Sequence, residues 1–113
     1  MHFLDSQRPW GNFRQFTLNE PTTVKIITVN PNAELSLQYH HNRSEFWRII
    51  GGGGQITIGE IEHEATVGEE FTVAVGEPHR MTAGPDGMQV LEIASGVFDE
   101  EDIIRLADNY GRA

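Results

Sequence analysis

The chain contains no cysteine in its 113 residues, so disulfides, thiolate zinc sites and thiol nucleophiles are excluded. Lysine is almost missing as well: Lys25 stands alone, and the other seven bases are arginines. With 17 acids against 8 bases the formal charge is −9, so no broad basic face for nucleic acid is expected. No apolar run approaches the ~18 residues of a membrane span, and no membrane partner is expected. The opening residues, MHFLDSQRPW, lack the basic and apolar blocks of a secretory signal, which gives a cytoplasmic expectation. A chain of this length holds one core, so residues 1–113 are expected to form a single domain.

What is present is a series of short apolar runs separated by 12 glycines and 5 prolines. That pattern favours strands and turns over long helices. Segment 23–29 is rich in β-branched residues and ends at Pro31-Asn32. Segment 34–40 alternates, with Leu35, Leu37 and Tyr39 on one face and Ser36, Gln38 and His40 on the other. Segment 45–50 follows, and then Gly51-Gly52-Gly53-Gly54, where the backbone must bend or another chain segment packs close. Residues 55–67 read as a hairpin turning near Gly59-Glu60. Segments 70–75 and 79–83 flank Gly76-Glu77-Pro78, and Pro85-Asp86-Gly87 is a turn signal before segment 88–94. About eight strands at this spacing predict a closed or nearly closed antiparallel barrel or jelly roll.

Only the C-terminus reads as helix. Asp99 is a capping residue, Glu100 to Asp102 load a first turn with negative charge, and Gly111 is a stop. Several strands are apolar on both faces: Val24 and Ile26 oppose Ile27 and Val29. The outer face then needs that helix or a second subunit, and a homodimer is expected.

Gln38 and His40 are two apart on one strand and point the same way. Glu45 follows at the start of the next strand, and His79 directly after a Gly-x-Pro turn. Two imidazoles, a carboxylate and an amide oxygen make a mixed nitrogen and oxygen set for a divalent metal. A lone strand histidine is more often a surface or hydrogen-bonded residue; the spacing of the whole set is what raises His40 above that reading.

The spacing resembles the cupin motifs. The first runs from Asn32 to Gly52, with His40, Glu45 and Gly52 matching, Asn32 in place of a glycine and Gln38 in place of a histidine. The second is carried by Gly68, Gly76 and His79, with Ala74 and Ala83 replacing a proline and an asparagine. RPWGNF at 8–13, VKIITVNP at 24–31, LSLQYHHNRSEFW at 35–47, GEPHRM at 76–81 and EEDIIRLADNYGR at 100–112 further resemble the C-terminal cupin domain of type II phosphomannose isomerases. In that family the domain usually follows a mannose-1-phosphate guanylyltransferase domain. This stretch has no glycine-rich nucleotide signature, so nucleotidyl transfer is not expected of it.

The resemblance implies an all-β cupin, a double-stranded β-helix or jelly-roll barrel, here with the short C-terminal helix. It implies one divalent ion (Zn, Mn, Fe, Co or Ni) held by Gln38, His40, Glu45 and His79. It also implies interconversion of mannose 6-phosphate and fructose 6-phosphate through a metal-stabilised enediolate. The small-molecule partner would be a phosphorylated sugar. Arg43 lies between two ligands, and Lys25 is a lone charge inside a strand; both are substrate-binding candidates, with Trp47 and Tyr110 beside them. Glu92, a carboxylate on a mostly apolar strand, is a candidate catalytic base or a partner of a metal-binding histidine, with a salt bridge to Lys25 as the duller alternative. The resemblance favours Arg105 as a catalytic, substrate-side group. Trp10 is either a substrate contact or core, and Arg80 a barrel-outside or rim residue. The family often has polar residues where Phe46, Ala83 and Ala94 stand, which predicts a thinned polar lining. Two other classes stay open: a non-catalytic metal-bearing cupin that binds a sugar or small acid, and a metal-dependent oxygenase.

Overall fold

Two long strands carry the architecture. The computed structural model describes residues 3–111. Its strands are β1 (Leu4–Arg8), β2 (Gly11–Gln15), β3 (Thr22–Val29), β4 (Leu37–Tyr39), β5 (Arg43–Ile58), β6 (Ile61–Thr66), β7 (Glu70–Val73), β8 (His79–Gly96) and β9 (Ile104–Ala107). β5 and β8 pair antiparallel from Arg43↔Gly96 to Ile58↔His79. At one end β7 joins β5 and β3 joins β8; at the other β6 joins β5, while β4 joins β8 and carries β9. One strand pair thus belongs to two sheet halves, which is a jelly roll.

The bend between the halves lies at the glycines. Gly52 has φ of 62°, and a Cβ there would stand 2.1 Å from the Gly87 carbonyl oxygen. A Cβ on Gly54 would stand 2.0 Å from the Thr82 carbonyl oxygen. No other residue type fits those two places without moving backbone. The glycine run therefore bends the chain and admits a close backbone approach, as expected. It does not separate two strands, and neither does Pro85-Asp86-Gly87: both signals sit inside continuous strands. The pairing of β5 with β8 on either side of the bend holds the chain straight enough to override the local turn preference.

The inward faces form the core. Trp47, Ile49, Ile56, Met81, Met88 and Val90 are buried almost completely. Each such side chain contributes about 1.5–3 kcal/mol of apolar burial. The outward face of β5 has its own packing. Phe46 is 1% exposed because Phe3 and Phe16 close over it at centroid distances of 5.1 and 5.2 Å. The Arg14 guanidinium stacks against all three rings. This cluster anchors the base of the β1–β2 hairpin, an element the sequence reading did not contain. The hairpin tip carries Trp10, 73% exposed, so Trp10 is neither core nor part of a site within this chain.

The C-terminal helix is not there. Asp99 Oδ1 does accept a backbone bond, from the Glu101 N–H at 2.9 Å, and the Asp102 N–H reaches the Asp99 carbonyl at 3.0 Å. The capping chemistry closes one turn, and then the chain extends as β9 against β4. One turn is the costly part of a helix; here ladder bonds to β4 replace its propagation. The outer face of β3 consequently has no helix over it: Val24 and Ile26 are 60% and 63% exposed. Among the described residues no helix is long and apolar enough to cross a membrane.

Candidate metal centre

Register builds the site from two cross-strand rows. Gln38 on β4 lies opposite His79 on one side and Arg105 on the other, so the three side chains share a face. Glu92 on β8 lies opposite Lys25 and Trp47 in the same way. Glu45, two residues before Trp47, points to the same interior. His40 follows β4 and is 3% exposed. The two rows face one cavity of about 220 Å³, lined by Lys25, Gln38, His40, Arg43, Glu45, Trp47, His79, Glu92 and Arg105.

One ligating atom from each of His40, Glu45 and His79 lies within 4.8 Å of the others, and all three residues are buried. His79 Nε2 stands 3.2 Å from Glu45 Oε1, and His40 Nε2 3.8 Å from Glu45 Oε2. Both rings are oriented by their far nitrogen. His40 Nδ1 is 2.6 Å from the Asp102 carbonyl oxygen, and His79 Nδ1 is 2.9 Å from that of Glu77. A carbonyl only accepts, so Nδ1 carries the proton on each ring. On His40 the Arg43 guanidinium faces Nε2, which marks that nitrogen as an acceptor. Gln38 Oε1 and Glu45 Oε1 are buried without a hydrogen-bond donor. Two imidazole Nε2 atoms, a carboxylate and an amide oxygen gathered in one buried site fit a divalent metal.

Electrostatics agree with that use. Burial pushes the His40 pKa down, against the opposing pull of the Asp102 carbonyl and Glu45, and keeps the ring neutral as ligation requires. Burial alone raises Glu45, but the neighbouring side chains of His79, Glu92 and His40 outweigh it and bring it to about 2. Glu92 is pushed up to about 8, first by burial and then by the Glu45 carboxylate beside it. One proton therefore serves the pair, and Glu92 holds it. The Trp47 indole N–H donates to Glu92 Oε1 at 3.2 Å.

Arg43 is where its position between two ligands predicts. It is 7% exposed, with one guanidinium nitrogen 3.2 Å from His40 Nε2 and Nε 3.6 Å from Glu45 Oε2. It also donates to the Asp99 carbonyl and stacks on Phe98. A cation on the His40 lone pair would replace the Arg43 contact, since that nitrogen has one lone pair. Lys25 pairs with Glu100 at 3.0 Å rather than with Glu92, so the duller reading of Glu92 does not hold. Arg105 faces the cavity from β9, not from a helix, and its Nε is buried without an acceptor. Arg80 sits at the rim, donating to the Leu35 and Ala107 carbonyls.

Tyr110 is not brought to the cavity. The chain turns away after β9, Asn109 donates to Glu34, and Tyr110 is 59% exposed. Arg112 lies outside the described residues. Phe46 does not thin the site lining, because strand parity turns it to the outer cluster; Ala83 and Ala94 are buried inward. Sequence reasoning missed Ser36, Glu100, Ile103 and Asp102. Ser36 shares the Gln38 face and was within reach of the alternation; the other three depend on where the C-terminal segment folds back.

The model of the mannose-6-phosphate isomerase C-terminal family matches residues 1–108. The chain belongs to that family. The xanthan biosynthesis protein XanB of Xanthomonas campestris is 37% identical over 107 residues, covering 93% of this chain and 23% of that protein. A mannose-1-phosphate guanylyltransferase of Klebsiella pneumoniae is also 37% identical, with the same coverage. The chain thus spans about a quarter of the length of these curated relatives. In structure it is similar to oxalate decarboxylase from Bacillus subtilis, with TM-score 0.70 and 22% identity over 77% of this chain and 24% of that one. It is also similar to a cupin protein from Bacteroides fragilis, with TM-score 0.59 and 18% identity over 74% of this chain and 82% of that one. The all-β cupin fold is shared, and Asn32, standing where the motif has glycine, takes the left-handed φ of 59° that such a position demands. The family places the chain among proteins of mannose-related carbohydrate metabolism.

Proposed function

We propose that this chain is a metal-dependent sugar-phosphate isomerase domain that interconverts mannose 6-phosphate and fructose 6-phosphate. One observation carries the reading: buried ligand atoms of Gln38, His40, Glu45 and His79 share a single cavity with the Glu92 carboxyl and the bases Lys25 and Arg105. A divalent ion held by Gln38, His40, Glu45 and His79 would supply charge stabilisation for the sugar oxygens during enolisation.

The remaining work falls to the chain. Aldose–ketose isomerisation moves a proton from C2 of the open-chain sugar to C1 and the hydroxyl proton from O2 to O1. Glu92, with its pKa raised to about 8, accepts and releases a proton near neutral pH at small cost. Its Oε1 is held by the Trp47 indole N–H, which orients the carboxyl in the cavity. Arg105 brings an unused buried donor, Nε, suited to a phosphate oxygen. Lys25 reaches phosphate by exchanging Glu100 for it. Arg43 joins the oxygens of the sugar if it leaves His40.

The test is turnover. The purified chain, loaded in turn with zinc, manganese, iron, cobalt and nickel, is assayed for conversion of mannose 6-phosphate to fructose 6-phosphate. Turnover with at least one metal is expected. Stoichiometric metal with no turnover under any of them would leave a non-catalytic metal-bearing cupin.

The reading includes a homodimer. Its support is the uncovered outer face of β3, where Val24 and Ile26 stand exposed with no helix above them. Sedimentation should give a dimer mass for the wild type and a monomer for Ile26→Glu; a monomeric wild type would contradict it.

A further inference from the structure

Asp102 touches the site from outside, and no part of it lines the cavity. It makes three bonds around His40. Its backbone carbonyl accepts the His40 Nδ1–H at 2.6 Å. Its two carboxylate oxygens accept the backbone N–H groups of His41 at 2.8 Å and Asn42 at 2.9 Å. Those amides follow His40 directly, where β4 has ended and β5 has not begun, so no strand ladder holds them. The carboxylate therefore ties the C-terminal segment to the two residues after the ligand. The carbonyl of the same residue then falls on the imidazole. Bonds from His41 and Asn42 depress the Asp102 pKa, so both oxygens accept at neutral pH.

We propose that Asp102 is a positioning residue for metal binding: its carboxylate clamp on the His41 and Asn42 amides places its own carbonyl on His40 Nδ1, and so fixes the ring with Nε2 as the free lone pair. The inference rests on the metal-site reading and extends it to a residue 62 positions away in sequence. A neutral imidazole in solution samples both tautomers, and only one presents Nε2 to a cation. Removing the clamp frees the carbonyl to drift and lets the other tautomer form. Asp102→Asn keeps one accepting oxygen and should retain part of the effect. Asp102→Ala keeps none.

Two readouts separate this role from ordinary folding support. The first is the tautomer of His40 in the metal-free chain, read from the two ring nitrogens by long-range proton–nitrogen NMR. Wild type should show Nδ1 protonated, and Asp102→Ala a mixture. The second is zinc affinity by competition with a chromophoric chelator. Asp102→Ala should bind roughly 10–100-fold more weakly, with Asp102→Asn in between. Thermal melts of the metal-free variants show that each is folded. An Asp102→Ala chain that keeps wild-type zinc affinity and a single Nδ1-protonated tautomer would overturn the proposal. So would a wild type protonated on Nε2. If the wild type takes up no zinc while the tautomer shift is still seen, the metal site fails and the positioning of His40 by Asp102 stands.

Discussion

Glu45 and Glu70 are carboxylates on the paired strands β5 and β7, and both titrate below the ordinary glutamate range. Their surroundings are opposite. Glu70 lies on the outer face with its side chain 26% exposed, bonded to Arg14 and, at 2.6 Å, to Arg48. Two guanidinium groups donate to its Oε2, and the Arg14 group also stacks on Phe46 and its covering rings. Glu45 lies on the inner face, 3% exposed, with an oxygen that no donor satisfies. Burial of that kind costs free energy that a structural carboxylate avoids. Glu70 has the environment of an ion pair that fastens the hairpin base. Glu45 has the environment of a ligand.

That contrast predicts how each face fails. The largest effect belongs to the inner face: Glu92→Gln should lower kcat about 100- to 10,000-fold, because the shuttle is lost, while metal stoichiometry stays at wild type. A wild-type rate would remove Glu92 from the mechanism. On the outer face, Phe46→Ala should cost about 3–5 kcal/mol in denaturant unfolding, by loss of a fully buried ring, without changing metal content. If metal were lost at temperatures where the variant is folded, the two faces would not be independent. The smallest effect is at Glu70. Glu70→Gln should cost about 1 kcal/mol at pH 7 and leave metal uptake unchanged. The folded pKa of Glu70 lies below its unfolded value, so its contribution is full above the unfolded pKa and is lost as pH falls through the folded one. The difference between wild type and variant should therefore vanish in acid; a difference that grew in acid would reverse the sign.

The same contrast explains what the sequence made legible. Gln38, His40, Glu45 and His79 were readable because strand parity and motif order are local, and the barrel then brings them together by register. Arg43 followed from its place between ligands. Glu92 stood out as a charge among Val90, Ile93 and Ala94. The C-terminal segment was misread because Asp99-Glu100-Glu101-Asp102 carries the same signals for a helix start as for a single Asx turn. The choice was made by the pairing of β9 with β4, a contact far away in sequence. The role of Asp102 was hidden with it, as was the interior placement of Arg105 on a strand. Pro85-Asp86-Gly87 looked like a reversal because a bend inside a paired strand uses the same residues. The β1–β2 hairpin went unread; its base is held by Phe46 and Glu70, residues far along the chain. Phe46 is a polar-to-apolar change beside a ligand in sequence, but strand parity puts it in the outer cluster.

The central claim is that the inner donor set holds one divalent metal. Equilibrium dialysis of the wild type and His79→Ala against the same panel of metals, with content read by elemental analysis, tests it directly. The account predicts one equivalent per wild-type chain and none retained by His79→Ala. Metal kept by His79→Ala, or a folded wild type that takes up none, would contradict it.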